Sequence, residues 1–165
     1  MSTTRSLGAR ALAEGLGAGL LVAAVIGSGI AAERLSPGQV GLQLLENSTA
    51  TVLALAALIL TFGPVSGAHF NPAVTLAELA TGKLEARAAA PYIGAAYWFT
   101  SSTSCANPAV TVARTLSDTF AGIRPASAPG FIAAQLLGAA LAVLAARVLF
   151  PEPEPSLEEA LDARP

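Results

Sequence analysis

The chain has 165 residues, 53% of them hydrophobic and 12% charged, with a net charge of −2 and a mean hydropathy of +0.61. Soluble proteins average about 25% charged residues, so this balance marks a membrane protein, and the small, scattered charge excludes a nucleic-acid partner. A single cysteine, Cys105, excludes an intramolecular disulfide framework and a multi-cysteine metal site.

A membrane-spanning helix needs about 20 mainly apolar residues. Residues 11–32 form the first such run, too long for the core of a signal peptide and therefore expected as a retained span. Residues 48–65 form the second. A Gly- and Ser-containing stretch, 63–70, then leads into a short helical pattern over 71–81. Residues 86–104 carry Pro91, Tyr92, Tyr97 and Trp98 and are just long enough for a further crossing, with aromatics suited to the membrane interface. A second short helical pattern occupies 107–119, and the last span is 130–150. Residues 151–165 alternate Pro with Glu and end acidic, as an exposed tail does. Arg5, Arg10, Lys83, Arg87, Arg147 and Arg164 fall on one side of this layout, against Arg34 and Arg124 on the other. That bias places both termini in the cytoplasm of a multi-pass protein of the plasma membrane.

The two short segments begin identically. Asn-Pro-Ala-Val-Thr occupies Asn71–Thr75 and recurs at Asn107–Thr111. Asn at the N-cap followed by Pro at the first helical position is a strong helix start, because Pro has a preset φ and lacks an N–H that would be unpaired there. Short apolar helices in matching positions of two halves point to discontinuous helices around a pathway near the bilayer midplane. The irregular backbone before them must be buried in protein or line a water-filled cavity. If the two helices meet head to head, two amide donors and two positive dipole ends converge in one constriction. Such a device passes neutral hydrogen-bonding solutes and rejects ions.

The run Ser66-Gly67-Ala68-His69-Phe70-Asn71-Pro72-Ala73-Val74-Thr75 resembles the first signature loop of the aquaporin and glycerol-facilitator superfamily, and Asn107-Pro108-Ala109 resembles the second. Ala13-Glu14-Gly15 is similar to that family's first span, where a buried Glu braces the first signature loop. The resemblance implies an all-α membrane fold and a passive channel, with a lipid bilayer and a small neutral solute as partners, no cofactor or metal, and a homotetramer. It further implies that the backbone carbonyls of Gly67, Ala68 and His69 line one half-pore and those of Ser104, Cys105 and Ala106 the other. Cys105 itself reads as a small buried residue, and His69 as a loop brace. The family's four filter positions map onto Thr51, Ala95 (uncertain by one), Ser104 and Val110. With Val where water-selective members have Arg, this ring is expected to be wide and uncharged, as in the bacterial branch associated with arsenic resistance. Arsenite and glycerol-like polyols are then the expected solutes. No nucleophile–base pair, phosphate loop or metal cluster appears, so no enzymatic activity is expected.

Length departs from the family. Six spans and two half-helices do not fit, and the layout expected here is a shortened channel domain, 1–150, of about four spans and two half-helices, followed by the tail 151–165. The missing part falls between the two motifs, with the join near Ala90–Tyr92. The lost fourth span carries the family's second bracing Glu, so the Asn107 loop is expected to lack a counterpart of Glu14. The alternative to a channel is therefore a truncated, non-conducting membrane subunit.

Overall fold

Ser6 caps the first helix, α1 (Leu7–Leu35), by accepting a hydrogen bond from the Ala9 N–H at 3.3 Å. The computed structural model describes residues 5–81, 89–100 and 102–149. The buried residues of α1 (Ala13, Gly17, Leu21, Val25, Gly29 and Ala32) recur every three or four positions and so form one stripe. After a turn at Ser36–Gln39, where Gly38 takes φ 74°, the chain returns as α2 (Val40–Ser66) and packs along α1.

Polar side chains close this hairpin. Asn47 donates to the Val25 carbonyl at 2.9 Å and to Ser28 Oγ at 2.8 Å, and Gln43 donates to the Ser36 carbonyl at 2.7 Å. These bonds explain why α2 begins at Val40 and not near residue 48. Hydropathy marks Gln43 and Asn47 as unfit for a span, yet both are buried against hydrogen-bonding partners on α1 and the turn that follows it. Beyond Thr51 the same face of α2 turns apolar, through Leu55 and Ile59.

The chain continues as α3 (Pro72–Thr81), α4 (Ala89–Phe99), α5 (Pro108–Arg114), a 3₁₀ turn (Pro125–Ser127) and α6 (Ala128–Leu149), with no strand among the described residues. Among the described residues, three helical segments are long and apolar enough to span a membrane: Leu7–Leu35, Val40–Ser66 and Pro125–Leu149. The crossing expected over 86–104 lies partly outside the described residues; within it α4 runs over 11 residues, about 16 Å. Residues 82–88, with Lys83 and Arg87, and the tail 151–165 lie outside the described residues. Of the named aromatics in α4, Tyr97 is buried, whereas Tyr92 and Trp98 are largely exposed. The second short helix ends at Arg114, five residues before the expected 119. There the Arg114 carbonyl accepts from the Ile123 N–H at 3.1 Å and the chain doubles back.

Two glycines on α1 let the rest of the molecule approach. A Cβ on Gly17 would lie 1.9 Å from the Phe70 ring, and one on Gly29 would lie 2.3 Å from the Ala121 Cβ. The two sites are 12 residues apart, about 18 Å along the axis. One helix thus seats the loop before α3 and the loop after α5. Gly17→Ala is expected to cost about 1–3 kcal/mol by overpacking, lowering the melting temperature of detergent-solubilised protein by several degrees. Gly15→Ala, with nothing within 4 Å of the added Cβ, is expected to leave it unchanged or raise it.

α3, α5 and α6 pack against one another, α5 also touches α1, and α4 lies against α2. The two half-helices are thereby held between the α1–α2 hairpin and α6.

Candidate functional site

Each half-helix is preceded by a loop whose backbone takes conformations that L-residues rarely adopt. In the first, Gly67 (φ 96°), Ala68 (56°) and Phe70 (48°) are left-handed; in the second, Thr103 (50°) and Ser104 (59°) are. Non-glycine residues there cost roughly 1–3 kcal/mol each and persist only when the surroundings hold them.

Glu14 holds the first loop. Its Oε1 accepts from Ser66 Oγ at 2.5 Å and the His69 N–H at 3.1 Å, and its Oε2 accepts from the Phe70 N–H at 2.7 Å. Ser66 Oγ in turn accepts from the Ala68 N–H at 3.2 Å. The carboxylate therefore stands where several backbone and hydroxyl donors converge, which is what makes it tolerable inside a span.

The second loop is held by hydroxyls. Thr100 Oγ1 accepts from the Ser104 N–H at 2.8 Å and Ser102 Oγ accepts from the Cys105 N–H at 3.2 Å. On the carbonyl side, Gln135 of α6 donates to the Cys105 carbonyl and to Thr111 Oγ1, both at 2.7 Å. No described carboxylate braces this loop as Glu14 braces the first; the Ser/Thr run and Gln135 hold it instead. Gln135 was legible as one uncharged polar residue in an otherwise apolar span.

The two copies of the pentapeptide make the same local bonds. Asn71 Oδ1 accepts from the Ala73 N–H at 3.0 Å, and Asn107 Oδ1 from the Ala109 and Val110 N–H groups at 3.0 and 3.4 Å. The Thr four residues on donates to the Asn carbonyl in both copies, at 3.1 Å from Thr75 and 2.8 Å from Thr111. It also contacts the residue two before the Asn: Thr75 meets His69 Nδ1 at 3.3 Å, and Thr111 meets Cys105 Sγ at 3.2 Å. His69 Nε2 further pairs with Glu78. His69 and Cys105 thus occupy equivalent places, each tying a loop to its helix. Among the described residues there is no group of three or more metal-ligating side chains.

The helix starts meet each other. Asn71 Nδ2 donates to the Ala106 carbonyl at 3.0 Å, and Asn107 Nδ2 donates to the Phe70 carbonyl at 2.7 Å. A primary amide has two N–H hydrogens, so these reciprocal bonds use one from each Asn. Both Asn residues line a cavity of about 390 Å³ bounded by α1, α2, α4 and the half-helices. Two capped helix starts, joined across the chain by their own caps, thus face one cavity.

The sequence comparisons agree with this geometry. A family model described as "Major intrinsic protein" matches residues 1–106. The chain belongs to the major intrinsic protein family. It is 35% identical to "Aquaglyceroporin AqpS" of Rhizobium meliloti (strain 1021) over 219 aligned positions, covering 91% of this chain and 94% of that protein. It is 39% identical to "Aquaporin Z" of Rhodopseudomonas palustris (strain ATCC BAA-98 / CGA009) over 82 residues, covering 50% of this chain and 33% of that one. No solved structure matches. The 219 positions exceed the 165 residues of this chain, so this major intrinsic protein is shorter than its aquaglyceroporin relative.

Of the four positions mapped by family resemblance, Thr51, Ser104 and Val110 line the cavity. Ala95 does not, and this is a correction: it is exposed on α4, whose cavity-lining residues are Ala89, Tyr92, Ile93 and Tyr97. Ala95 lies two residues from Tyr97, about 200° around a helix. Tyr97, 3% exposed, shares a hydrogen bond of 3.1 Å with Thr51. In the half-pore loops, Ala68, His69, Ser104 and Ala106 reach the cavity, whereas Gly67 and Cys105 are not among its lining residues. The carbonyls of Ser104, Cys105 and Ala106 each accept one hydrogen bond from within the protein, which leaves one lone pair apiece. Outside the mapped ring, Arg114, one turn beyond Val110, also lines the cavity.

Proposed function

We propose that this chain is a passive channel of the plasma membrane for small neutral hydroxylated solutes, arsenite and glycerol-like polyols before water. The observation that carries the proposal is the pair of Asn amides joined across the chain while facing one cavity. One amide hydrogen of each Asn fixes the constriction, and the other is available to a passing oxygen. A hydroxylated solute exchanges hydrogen bonds along such a path without leaving its polar groups unpaired. The cavity walls are otherwise largely aliphatic, with Leu21, Val25, Leu55 and Ile59 among them. Walls of that kind suit a solute with a carbon or metalloid centre better than water alone. Both termini would face the cytoplasm, and the name of the aquaglyceroporin relative supports polyol passage.

The assembly is a homo-oligomer, a tetramer by family likeness. A truncated, non-conducting subunit is the alternative, favoured by a cavity wall to which no described residue of α6 contributes. Uptake of arsenite and of glycerol into cells expressing the chain decides between them. Val110→Arg is expected to lower both uptakes by about tenfold or more, because it fills the cavity beside Val110 and sets a second cation one turn from Arg114. Uptake equal to that of non-expressing cells supports the non-conducting subunit, and uptake indifferent to Val110→Arg contradicts the mapped filter.

A further inference from the structure

The half-helix α5 is 7 residues long and packs against α6, which is long enough to span. The two therefore run side by side over one leaflet only. On the outward side of this pair lies a second, apolar groove of about 550 Å³. Its floor is one face of α6, formed by Pro129, Ile132, Ala133 and Leu136 at helical spacings of three and four, and Val112 and Thr115 of α5 make its side. Thr115 is the one polar residue in its lining, and the Thr115 hydroxyl is spent on the Val112 carbonyl at 2.7 Å. Val112 is 52% and Leu136 42% exposed, so the groove opens away from the protein, towards lipid.

Depth decides what fits there. At the inner end Leu136 adjoins Gln135, which bonds the Cys105 carbonyl and Thr111 Oγ1 beside the start of the second half-helix, the level of the constriction. The outer end is Pro125, about 16 Å away along the helix axis. That distance is about half of a hydrocarbon core of about 30 Å. A helix from a second copy crosses both leaflets and needs a groove along the whole of α6, whereas a lipid acyl chain ends at the midplane, as this groove does. Arg124 stands at the outer end, immediately before Pro125. It is exposed, and its side chain makes no hydrogen bond or ion pair among the described residues. An unpaired guanidinium at the water side of a groove of acyl-chain length matches a phospholipid phosphate, which Arg binds through two parallel N–H donors. No Asp or Glu lines the groove to receive the amine of a zwitterionic headgroup.

We infer that the groove between α5 and α6 binds an anionic phospholipid from the leaflet on the Arg124 side, one acyl chain lying along α6 from Pro129 to Leu136 and the phosphate resting on Arg124. The chain covers Val112 and so backs α5 from outside, on the helix that carries Val110 and Arg114 to the cavity. Bound lipid thereby steadies the second half-helix, and the site stands whether or not the cavity conducts.

The test uses the full chain in detergent, titrated with phosphatidylglycerol or phosphatidylcholine and followed by native mass spectrometry. Wild type is expected to hold one phosphatidylglycerol at about fivefold lower lipid concentration than phosphatidylcholine. Arg124→Gln is expected to remove that preference. Arg34→Gln, which removes an exposed charge elsewhere, is expected to keep it. Ala133→Trp fills the groove from an exposed position and is expected to lose the tight lipid of either kind. Equal binding of the two lipids by wild type overturns the inference. So does an Arg34→Gln that loses the preference as fully as Arg124→Gln, because the effect is then one of general surface charge. Tight phosphatidylglycerol that survives Ala133→Trp places the lipid elsewhere and is equally contrary. An oligomer that Ala133→Trp breaks while lipid binding persists means that a second copy fills the groove. Should Ala133→Trp fail to accumulate, the contrast between Arg124→Gln and Arg34→Gln decides alone.

Discussion

Asn107→Asp is expected to abolish most neutral-solute flux while leaving the second half-helix folded. The substitution is nearly isosteric, and a carboxylate oxygen still accepts from the Ala109 and Val110 N–H groups, so the cap survives. What is lost is the donor. The 2.7 Å bond from Asn107 Nδ2 to the Phe70 carbonyl becomes a contact between two acceptors, one of them charged. Leaving a buried carbonyl opposed by an acceptor costs about 1–3 kcal/mol. The fixed negative charge also reverses the sign of the field beside the cavity. Glycerol-driven volume change of proteoliposomes is expected to slow by more than about tenfold, at about 1.4 kcal/mol per factor of ten. Asn71→Asp is expected to act in the same direction through the Ala106 carbonyl, since the bonds are reciprocal. Wild-type flux in both variants would mean that the amides are caps and nothing more.

Glu14→Ala has the largest expected effect on folding. It removes the acceptor of Ser66 Oγ and of the His69 and Phe70 N–H groups in a loop that already holds Ala68 and Phe70 at positive φ. Orphaning donors at about 1–3 kcal/mol each leaves nothing to offset that backbone conformation. Phe70 then loses its seat in the gap over Gly17, and the first half-helix loses its fixed entry. A fall in melting temperature of roughly 10 °C in detergent, or failure to accumulate in the membrane, is expected. Glu14→Gln is expected to fall between, because one amide oxygen can still serve Ser66 and His69 while its NH₂ faces the Phe70 N–H. Glu14→Ala melting like wild type would show that the loop is held by other contacts.

The legible part of the fold was the part written as local chemistry. The Asn-Pro-Ala-Val-Thr repeat marks helix starts through capping physics alone, and both copies make their cap bonds. The apolar runs of α1, α2 and α6 are visible as composition. What composition hides is the buried polar residue with a partner elsewhere in the chain. Gln43 and Asn47 extend α2 because carbonyls and hydroxyls of α1 and its following turn receive them, and hydropathy has no knowledge of those partners. Arg114 ends a helix that reads as longer than it is, and its burial depends on the chain doubling back over it, which the sequence pattern does not show. The misplaced Ala95 has a different cause. Its position was counted from the Asn residues, and on a helix an offset of one or two residues turns a side chain from the cavity to the outside.

Conduction through the cavity is tested most directly by reconstituting the wild-type chain into proteoliposomes and following their volume by light scattering after an inward glycerol gradient. Shrinkage followed by reswelling faster than in empty vesicles, without saturation as the gradient is raised, is the predicted result. Correctly inserted protein whose vesicles reswell no faster than empty ones would contradict the account.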